Sequence, residues 1–133
     1  MQTEEKSMPD ARPPLVFVVE DDDVQRRGLS RFLKREGFRV RDYEDGESAL
    51  EDARSAGAEP DLVVCDYRLP GRNGLDVMKE MGTGGRTEFI LISAYLTDEL
   101  STEARTAGFS RVLEKPVNLE KLLGECQAAI DAG

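Results

Sequence analysis

The sequence predicts an α/β fold in which one parallel sheet of five strands is covered by helices on both faces. Five short, mainly apolar segments alternate with five longer segments whose apolar residues recur at helical spacing. Three of the short segments are nearly unbroken apolar runs, as strands buried on both faces require. Such alternation is typical of layered α/β domains, and 133 residues are enough for one of them.

The first predicted strand is LVFVV, residues 15–19. Acidic residues follow it, and Asp22 or Asp23 is expected to cap the next helix, because a carboxylate accepts hydrogen bonds from the free amides of a first turn. Gly37 is the predicted end of that helix. Four apolar residues are assigned to its buried face: Val24, Leu29, Phe32 and Leu33.

The second strand, residues 38–43, alternates apolar and polar side chains, which indicates an edge strand. Residues 45–57 then predict an amphipathic helix that ends at Gly57. The third strand is DLVVC, residues 61–65, and a helix follows over residues 75–81.

The fourth strand is EFILIS, residues 88–93, and a helix over residues 97–108 comes after it. Three apolar residues align on that helix: Leu100, Ala104 and Ala107. The fifth strand is RVLE, residues 111–114. The last helix carries an apolar stripe at a spacing of 3.6 residues: Leu119, Leu122, Leu123, Cys126 and Ile130.

Charge and composition limit the possible functions. The chain has a net charge of −9, which argues against binding nucleic acid through a basic surface and suits a divalent cation or a basic partner. No apolar run approaches the roughly 20 residues of a membrane span, and the N-terminus lacks a signal-peptide core. We therefore expect a cytoplasmic protein without a membrane segment. Residues 1–13 are polar and contain proline, which predicts a flexible N-terminal tail.

The chain contains no histidine, which excludes catalysis by a Ser-His-Asp or Cys-His arrangement. Its two cysteines, Cys65 and Cys126, stand at apolar positions of a strand and of the last helix. We expect both to be core side chains rather than metal ligands or a disulfide.

The residues at the ends of the strands carry the chemical groups. In open parallel sheets, ligands bind at the carboxyl edge of the strands. Four predicted strands end there in groups that could converge: the acidic residues 20–23, Asp66, Ser93 and Lys115.

Carboxylates crowded together repel one another unless a cation intervenes, and oxygen ligands without histidine or cysteine suit Mg²⁺. With the cation bound, Asp66 stays ionised and could attack a phosphoryl group as a nucleophile. Lys115 and Ser93 would then stabilise the phosphoryl oxygens.

Four motifs, VVEDD, CDYRLPGRNGL, LISA and EKP, resemble in their order and spacing the receiver domain of two-component response regulators. The resemblance covers the chain from residue 15 to about residue 131. It implies a single-domain, flavodoxin-like (βα)5 three-layer sandwich over residues 14–133, with strand order 2-1-3-4-5.

The resemblance also implies roles for the acidic residues. Asp66 corresponds to the phosphoacceptor. Asp21 corresponds to a direct Mg²⁺ ligand, and Glu20 to one that acts mostly through water. Asp66 itself and the backbone carbonyl of Arg68 complete the implied metal ligands.

Further implications concern the rest of the site and the partners. Ser93 matches the family's switch residue and Lys115 its phosphate-contacting lysine, followed by a cis peptide bond to Pro116. The implied donor is a phosphohistidine on a histidine kinase or histidine phosphotransfer protein. A downstream protein is expected on the face formed by helix 4, strand 5 and helix 5. Such a domain promotes its own phosphorylation and dephosphorylation but is not a turnover enzyme.

Three positions depart from the family pattern. Arg68 places a long cation beside the acceptor, and Tyr95 overhangs the site, so both bear on the lifetime of the phosphoryl group. Val112 stands where the family usually has an aromatic residue that swings inward. We hypothesise that Ser93 still moves and that the loop after strand 4 transmits the change.

Each feature also has an ordinary structural interpretation. An acidic run can be a solvated loop, Ser93 can simply end a strand, and Lys115 can be a surface residue. Pro70 and Gly74 predict a turn whatever the function. Three other carboxylates are expected to be helix-end or loop groups: Asp61, Asp76 and Asp98.

The leading hypothesis is a stand-alone phosphoreceiver that does not bind DNA directly. A receiver cut from a longer regulator, or one that relays phosphate, is the second possibility. A phosphorylation-independent docking module is a third. A phosphatase of the haloacid dehalogenase type would need a second aspartate two residues after the nucleophile, where this chain has Arg68.

Overall fold

The computed structural model describes residues 12–55, 59–82, 87–109 and 111–132. Five strands and five helices alternate in it: β1 (Leu15–Val19), α1 (Asp23–Arg35), β2 (Arg39–Tyr43), α2 (Gly46–Ser55), β3 (Leu62–Asp66), α3 (Gly74–Met81), β4 (Glu88–Ser93), α4 (Asp98–Ala107), β5 (Arg111–Glu114) and α5 (Leu119–Ala132). All strand pairs are parallel, in the order β2-β1-β3-β4-β5, which confirms the predicted fold and strand order. Residues 1–11 of the predicted tail and the predicted helix end at Gly57 lie outside the described residues.

The sheet is covered by helices on both faces. Alternate residues of each central strand point to opposite faces, so Phe17 packs with the side chains of α2, α3 and α4, whereas Val18 packs with those of α1 and α5. Every residue of β1 and β3 is buried. The apolar sequences predict this for all of them except Asp66, a buried carboxylate at the end of β3. The edge strand β2 is only partly buried, in agreement with its alternating sequence.

A short polar side chain precedes each of the five described helices. Asp45 accepts the amide hydrogen of Ser48 at 2.7 Å at the start of α2, and Asn118 accepts that of Lys121 at 2.9 Å at the start of α5. Asp22 accepts the amide hydrogen of Gln25 at 2.9 Å and caps α1. Asn73 and Asp76 form a capping box at the start of α3, and Thr97 caps α4. Asp61 accepts the amide hydrogen of Leu15 at 2.8 Å. Asp61 therefore lies in a loop, and Asp76 and Asp98 lie in the first turns of α3 and α4, as predicted for these three carboxylates.

Three details of the sequence prediction were wrong. Val24, assigned to the buried face of α1, is 81% exposed, because it lies about 140° around the helix from Leu29. Leu119, assigned to the apolar stripe of α5, is the first residue of that helix and is 40% exposed. The third strand extends one residue further than predicted, so that Asp66 is its last residue rather than the residue after it.

Both cysteines are buried and free, as predicted. Burial raises the pKa of the Cys65 and Cys126 thiols, because the thiolate would lose its solvation. Within the described part of the chain, none of the helices combines the length and the apolar character needed to cross a membrane.

Candidate functional site

The acidic side chains meet at the carboxyl edge of two neighbouring strands. Val19 of β1 pairs with Cys65 of β3, so the residues that follow them, Glu20 and Asp66, lie side by side. Carboxylate oxygens of Glu20, Asp21 and Asp66 all lie within 4.8 Å of one another. Glu20 and Asp66 are buried, whereas Asp21 is exposed, so the cluster opens toward solvent on the Asp21 side.

Lys115 reaches this cluster from the end of β5. Its ammonium nitrogen lies 3.0 Å from Oε1 of Glu20 and 3.2 Å from Oδ2 of Asp66. The Lys115 amide donates to the carbonyl of Ser93 at 2.9 Å, and the peptide bond to Pro116 is cis, as expected. Burial acts to lower the pKa of Lys115, but the two carboxylates outweigh it and raise the pKa above its ordinary value. The lysine is therefore held in its charged form.

Glu20 has hydrogen-bond partners for both its side chain and its backbone. Its Oε2 accepts the amide hydrogen of Asp22 at 3.1 Å, and its own amide donates to the carbonyl of Tyr43 at 3.0 Å. Burial raises the pKa of Glu20, and the Asp22 amide and Lys115 offset part of that rise. A buried carboxylate with a raised pKa is one that a cation would stabilise in its ionised form.

The donor set fits a magnesium ion. Three carboxylates face one ammonium, so the ionised cluster keeps an excess of negative charge. Oxygen ligands bind Mg²⁺ at about 2.0–2.1 Å, so two ligands of one ion are at most about 4.2 Å apart. The three observed oxygens lie within 4.8 Å of one another, so they must draw closer together to bind one ion.

Ser93 lies at the same edge of the sheet, but its hydroxyl is hydrogen-bonded to the backbone of Tyr95. Its hydroxyl donates to the carbonyl of Tyr95 and accepts the Tyr95 amide hydrogen, each at 3.2 Å. Ser93 follows Ile92, the residue that pairs with Asp66 in the sheet, and is 4% exposed. The structure thus places Ser93 beside the cluster while its hydroxyl is engaged with the loop after β4.

The three departures from the family pattern differ in their surroundings. Arg68 is exposed and has no side-chain hydrogen bond or ion pair among the described residues. Tyr95 is 72% exposed. Val112 is half-buried and packs against the core on the α2–α3–α4 side of the sheet. Among the described residues, none of the three side chains forms a hydrogen bond or an ion pair with Glu20, Asp21 or Asp66.

Sequence reasoning missed the special position of Gly74. The sequence predicts only a turn at this position, but a Cβ atom there would lie 2.6 Å from the carbonyl oxygen of Asp66 and 2.9 Å from Cδ1 of Leu91. Its amide donates to the carbonyl of Tyr67 at 2.8 Å, so α3 begins in contact with the backbone at the end of β3. No local sequence pattern predicts this contact, because it depends on how α3 packs back against the sheet.

Arg26 was also missed. One guanidinium nitrogen donates to the backbone carbonyl of Glu20 at 2.9 Å, and another contacts the carboxylate of Asp23. The spacing of Asp23 and Arg26 on one helix is that of an i, i+3 ion pair and could have directed attention to the arginine.

Comparisons with known proteins agree with this fold. The family model described as response regulator receiver domain matches residues 16–127. The "Cyclic di-GMP phosphodiesterase" of Thermotoga maritima is 33% identical over 108 residues, which are 80% of this chain and 28% of that protein. The "Transcriptional regulatory protein PdtaR" of Mycobacterium tuberculosis is 31% identical over 121 residues, 90% of this chain and 58% of that protein.

Solved structures agree with the fold. A CheY-like response regulator receiver domain protein from Methanospirillum hungatei superposes with a TM-score of 0.83 at 21% identity, covering 90% of this chain and 95% of that one. A structure described as "BeF3 Activated DrrB Receiver Domain" gives a TM-score of 0.80 at 27% identity and covers 90% of this chain and 98% of that one.

The fold and the acidic edge define a parallel α/β domain with a candidate cation site at the carboxyl ends of its strands. The chain belongs to the response regulator receiver domain family of two-component systems. It spans less than two thirds of the length of the two curated relatives named above.

Proposed function

We propose that this chain is a phosphoacceptor that takes a phosphoryl group from a phosphohistidine onto Asp66 in a Mg²⁺-dependent reaction and then changes its partner-binding surface. The observation that supports this most directly is the contact of Lys115 with both Glu20 and Asp66, at 3.0 and 3.2 Å, beside the three-carboxylate cluster. The family membership supports the same reaction class.

The proposed metal ligands are the carboxylates of Asp21 and Asp66, Glu20 mostly through water, and the backbone carbonyl of Arg68. A bound Mg²⁺ would neutralise the carboxylates and the equatorial oxygens of the phosphoryl group. Arg68 follows Asp66 by two residues in the loop that leaves β3, on the same edge as the cluster.

The chemical step is a displacement at phosphorus. The ammonium group of Lys115 donates a hydrogen bond to Oδ2 of Asp66, so we assign the attack on phosphorus to Oδ1. As the new P–O bond forms, the P–N bond to the donor imidazole breaks, and the nitrogen keeps the electron pair. Lys115 then contacts a phosphoryl oxygen and neutralises part of its charge. The product is an acyl phosphate on Asp66.

Ser93 supplies the proposed switch. Its hydroxyl would leave the backbone of Tyr95 and donate to a phosphoryl oxygen, which releases the loop after β4. That loop is linked to the end of β5, since the amide of Leu96 lies 3.5 Å from Oε2 of Glu114. Val112 offers no aromatic ring to swing, so the loop carries the change to the face of α4, β5 and α5.

We assign residues 14–133 to the receiver domain and residues 1–13 to an N-terminal tail. The proposed partners are a histidine kinase or histidine phosphotransfer protein as donor and a downstream protein on the α4–β5–α5 face, with no direct nucleic acid contact. On this proposal the chain is a signalling domain rather than a turnover enzyme and acts in the cytoplasm. The greater length of its relatives makes a receiver within a longer regulator an equally natural setting.

The proposal is tested by incubation with acetyl phosphate and Mg²⁺, followed by intact-mass measurement. The native chain should gain one phosphoryl group, and the Asp66→Asn variant should gain none. A beryllofluoride titration monitored by amide chemical shifts serves as the trapping control for a short-lived adduct. Absence of both the adduct and the beryllofluoride response would disprove the proposal and favour a docking module.

A further inference from the structure

Arg26 connects the acidic residues of the site to the rest of the fold. The residues concerned are Glu20 to Asp23, here called the acidic turn, which joins β1 to α1. Arg26 donates to the backbone carbonyl of Glu20 at 2.9 Å and contacts the carboxylate of Asp23 at the other end of the turn. The guanidinium therefore bridges the first and last residues of the segment that carries Asp21.

The arginine is itself held in place from the edge strand. Its Nε lies 3.6 Å from Oδ1 of Asp42 on β2, and Oδ2 of Asp42 accepts the hydroxyl hydrogen of Ser30 at 2.7 Å. Ser30 is buried, and the Arg26 side chain is 12% exposed. A chain of contacts thus runs from the α1–β2 packing through Arg26 to the acidic turn.

We propose that Arg26 is a positioning residue that holds the acidic turn in the geometry required for Mg²⁺ binding. The inference depends on the proposed metal-dependent function and adds a residue that touches neither the phosphoryl group nor the metal. The guanidinium suits this task because it is planar, always charged and able to donate in several directions at once. Lysine has the charge without the fork-like geometry.

The sign of the effect distinguishes positioning from simple electrostatics. If Arg26 acted only as a nearby positive charge, removing it would strengthen the binding of a divalent cation. If it positions the turn, its removal weakens binding, because Asp21 and Glu20 must be ordered when the metal arrives. The two explanations predict opposite changes in the same measured constant.

Arg27 is a matched control for charge and helix position. It is the next residue of α1, it is exposed, and its side chain has no hydrogen bond or ion pair among the described residues. Arg27→Gln therefore removes one positive charge from the same helix without touching the acidic turn.

The experiment is isothermal titration of the full chain with MgCl₂, together with hydrogen–deuterium exchange of the metal-free protein. We expect Arg26→Gln and Arg26→Lys to weaken Mg²⁺ binding at least threefold and to speed exchange of the amides of Asp21 to Asp23. Arg27→Gln should stay within twofold of the native chain. Ser30→Ala, which changes no charge, should shift both quantities in the same direction as Arg26→Gln but less.

The outcomes separate this inference from the proposed function. If the native chain binds no Mg²⁺, the proposed function fails. If the native chain binds Mg²⁺ and Arg26→Gln binds equally or more tightly, the positioning role is disproved while the function stands. If Arg26→Lys binds Mg²⁺ as tightly as the native chain, a positive charge alone is sufficient for binding, and the positioning role is again disproved. Should Arg26→Gln not fold, Arg26→Lys and Ser30→Ala decide the question.

Discussion

The ammonium nitrogen of Lys115 lies 3.2 Å from Oδ2 of Asp66, although the two residues are 49 positions apart in sequence and β4 separates their strands in the sheet. The lysine side chain crosses the end of β4, where Ser93 lies. The backbone amide of Lys115 donates a hydrogen bond to the carbonyl of Ser93 at 2.9 Å. The lysine thus reaches the acceptor only because three neighbouring parallel strands end at the same edge.

Replacement of Lys115 by glutamine should slow the phosphorylation of Asp66 by acetyl phosphate at least tenfold, because the phosphoryl oxygens lose a charged donor in the transition state. The loss of one such preorganised donor commonly costs about 10²–10³ in rate. The rate is measured by intact mass against time at saturating Mg²⁺. Lys121→Gln removes an exposed lysine of α5 and should leave the rate unchanged. Equal rates in both variants would contradict the assigned role.

Mg²⁺ should stabilise the native chain against urea. A ligand at 100 times its dissociation constant adds about 2.7 kcal/mol to the free energy of unfolding when it binds only the folded state. Asp21→Asn should abolish this gain, because it removes a carboxylate of the cluster. Glu103→Gln removes an exposed carboxylate of α4 and should retain the gain. Urea titrations in EDTA and in MgCl₂ measure this gain in the free energy of unfolding. A full gain in Asp21→Asn would contradict the proposed Mg²⁺ site.

Gly74→Ala should destabilise the fold by about 2–4 kcal/mol, because its new methyl group would meet the Asp66 carbonyl oxygen at 2.6 Å and force the backbone apart. Gly28→Ala is the matched control. A Cβ at Gly28 would meet no atom within 4 Å, and alanine is favoured over glycine in a helix interior by about 1 kcal/mol, so this variant should be neutral or more stable. Urea denaturation measures both, and similar stabilities would disprove the steric argument.

The sequence was most informative where the residue pattern is local. The apolar runs predicted β1, β3 and β4, and helical spacing predicted the helices between them. The assignment of Val24 to a buried face failed because one exposed residue in a first turn was grouped with a stripe that begins later. Local periodicity therefore predicted where the helices and strands lie better than it predicted which side chains in their terminal turns are buried.

The candidate site was only partly accessible to this reasoning. Glu20, Asp21, Asp66 and Lys115 could be named because each follows or ends a strand, and the edge of a parallel sheet brings such residues together. The contact of Gly74 with the backbone of Asp66 depends on the path of a helix across the sheet. The engagement of the Ser93 hydroxyl with its own loop is likewise a property of the folded chain.

Alkaline pH should destabilise the protein through Cys126. Burial raises the pKa of its thiol to about 12 from an ordinary value of 9.0, and the nearby Glu125 adds to the effect. Above pH 9 the unfolded chain therefore loses this proton while the folded chain keeps it. The contribution is complete below pH 9 and declines as the pH rises to about 12, by about 1.4 kcal/mol per pH unit at most for one group.

Cys126→Ala removes this titration and serves as the control. The variant should differ from the native chain by a constant free energy of unfolding between pH 7 and pH 8, and the difference should shrink above pH 9. Urea titrations followed by far-ultraviolet circular dichroism measure the two curves. A difference that stays constant to pH 11 would show that the thiol does not contribute.

Ser93→Ala should separate phosphoryl binding from the conformational response. Beryllofluoride with Mg²⁺ should bind both the native chain and the variant, because Asp66, Lys115 and the carboxylate cluster are untouched. In the native chain the amide resonances of Tyr95 and Leu96 should shift, since Ser93 must release the Tyr95 backbone to reach the mimic. In the variant those two shifts should fall by at least half. Ser101→Ala, a serine of α4 outside the cluster, should respond like the native chain. If the loop amides of Ser93→Ala shift fully, the change reaches α4 without this hydroxyl, and the proposed switch is wrong.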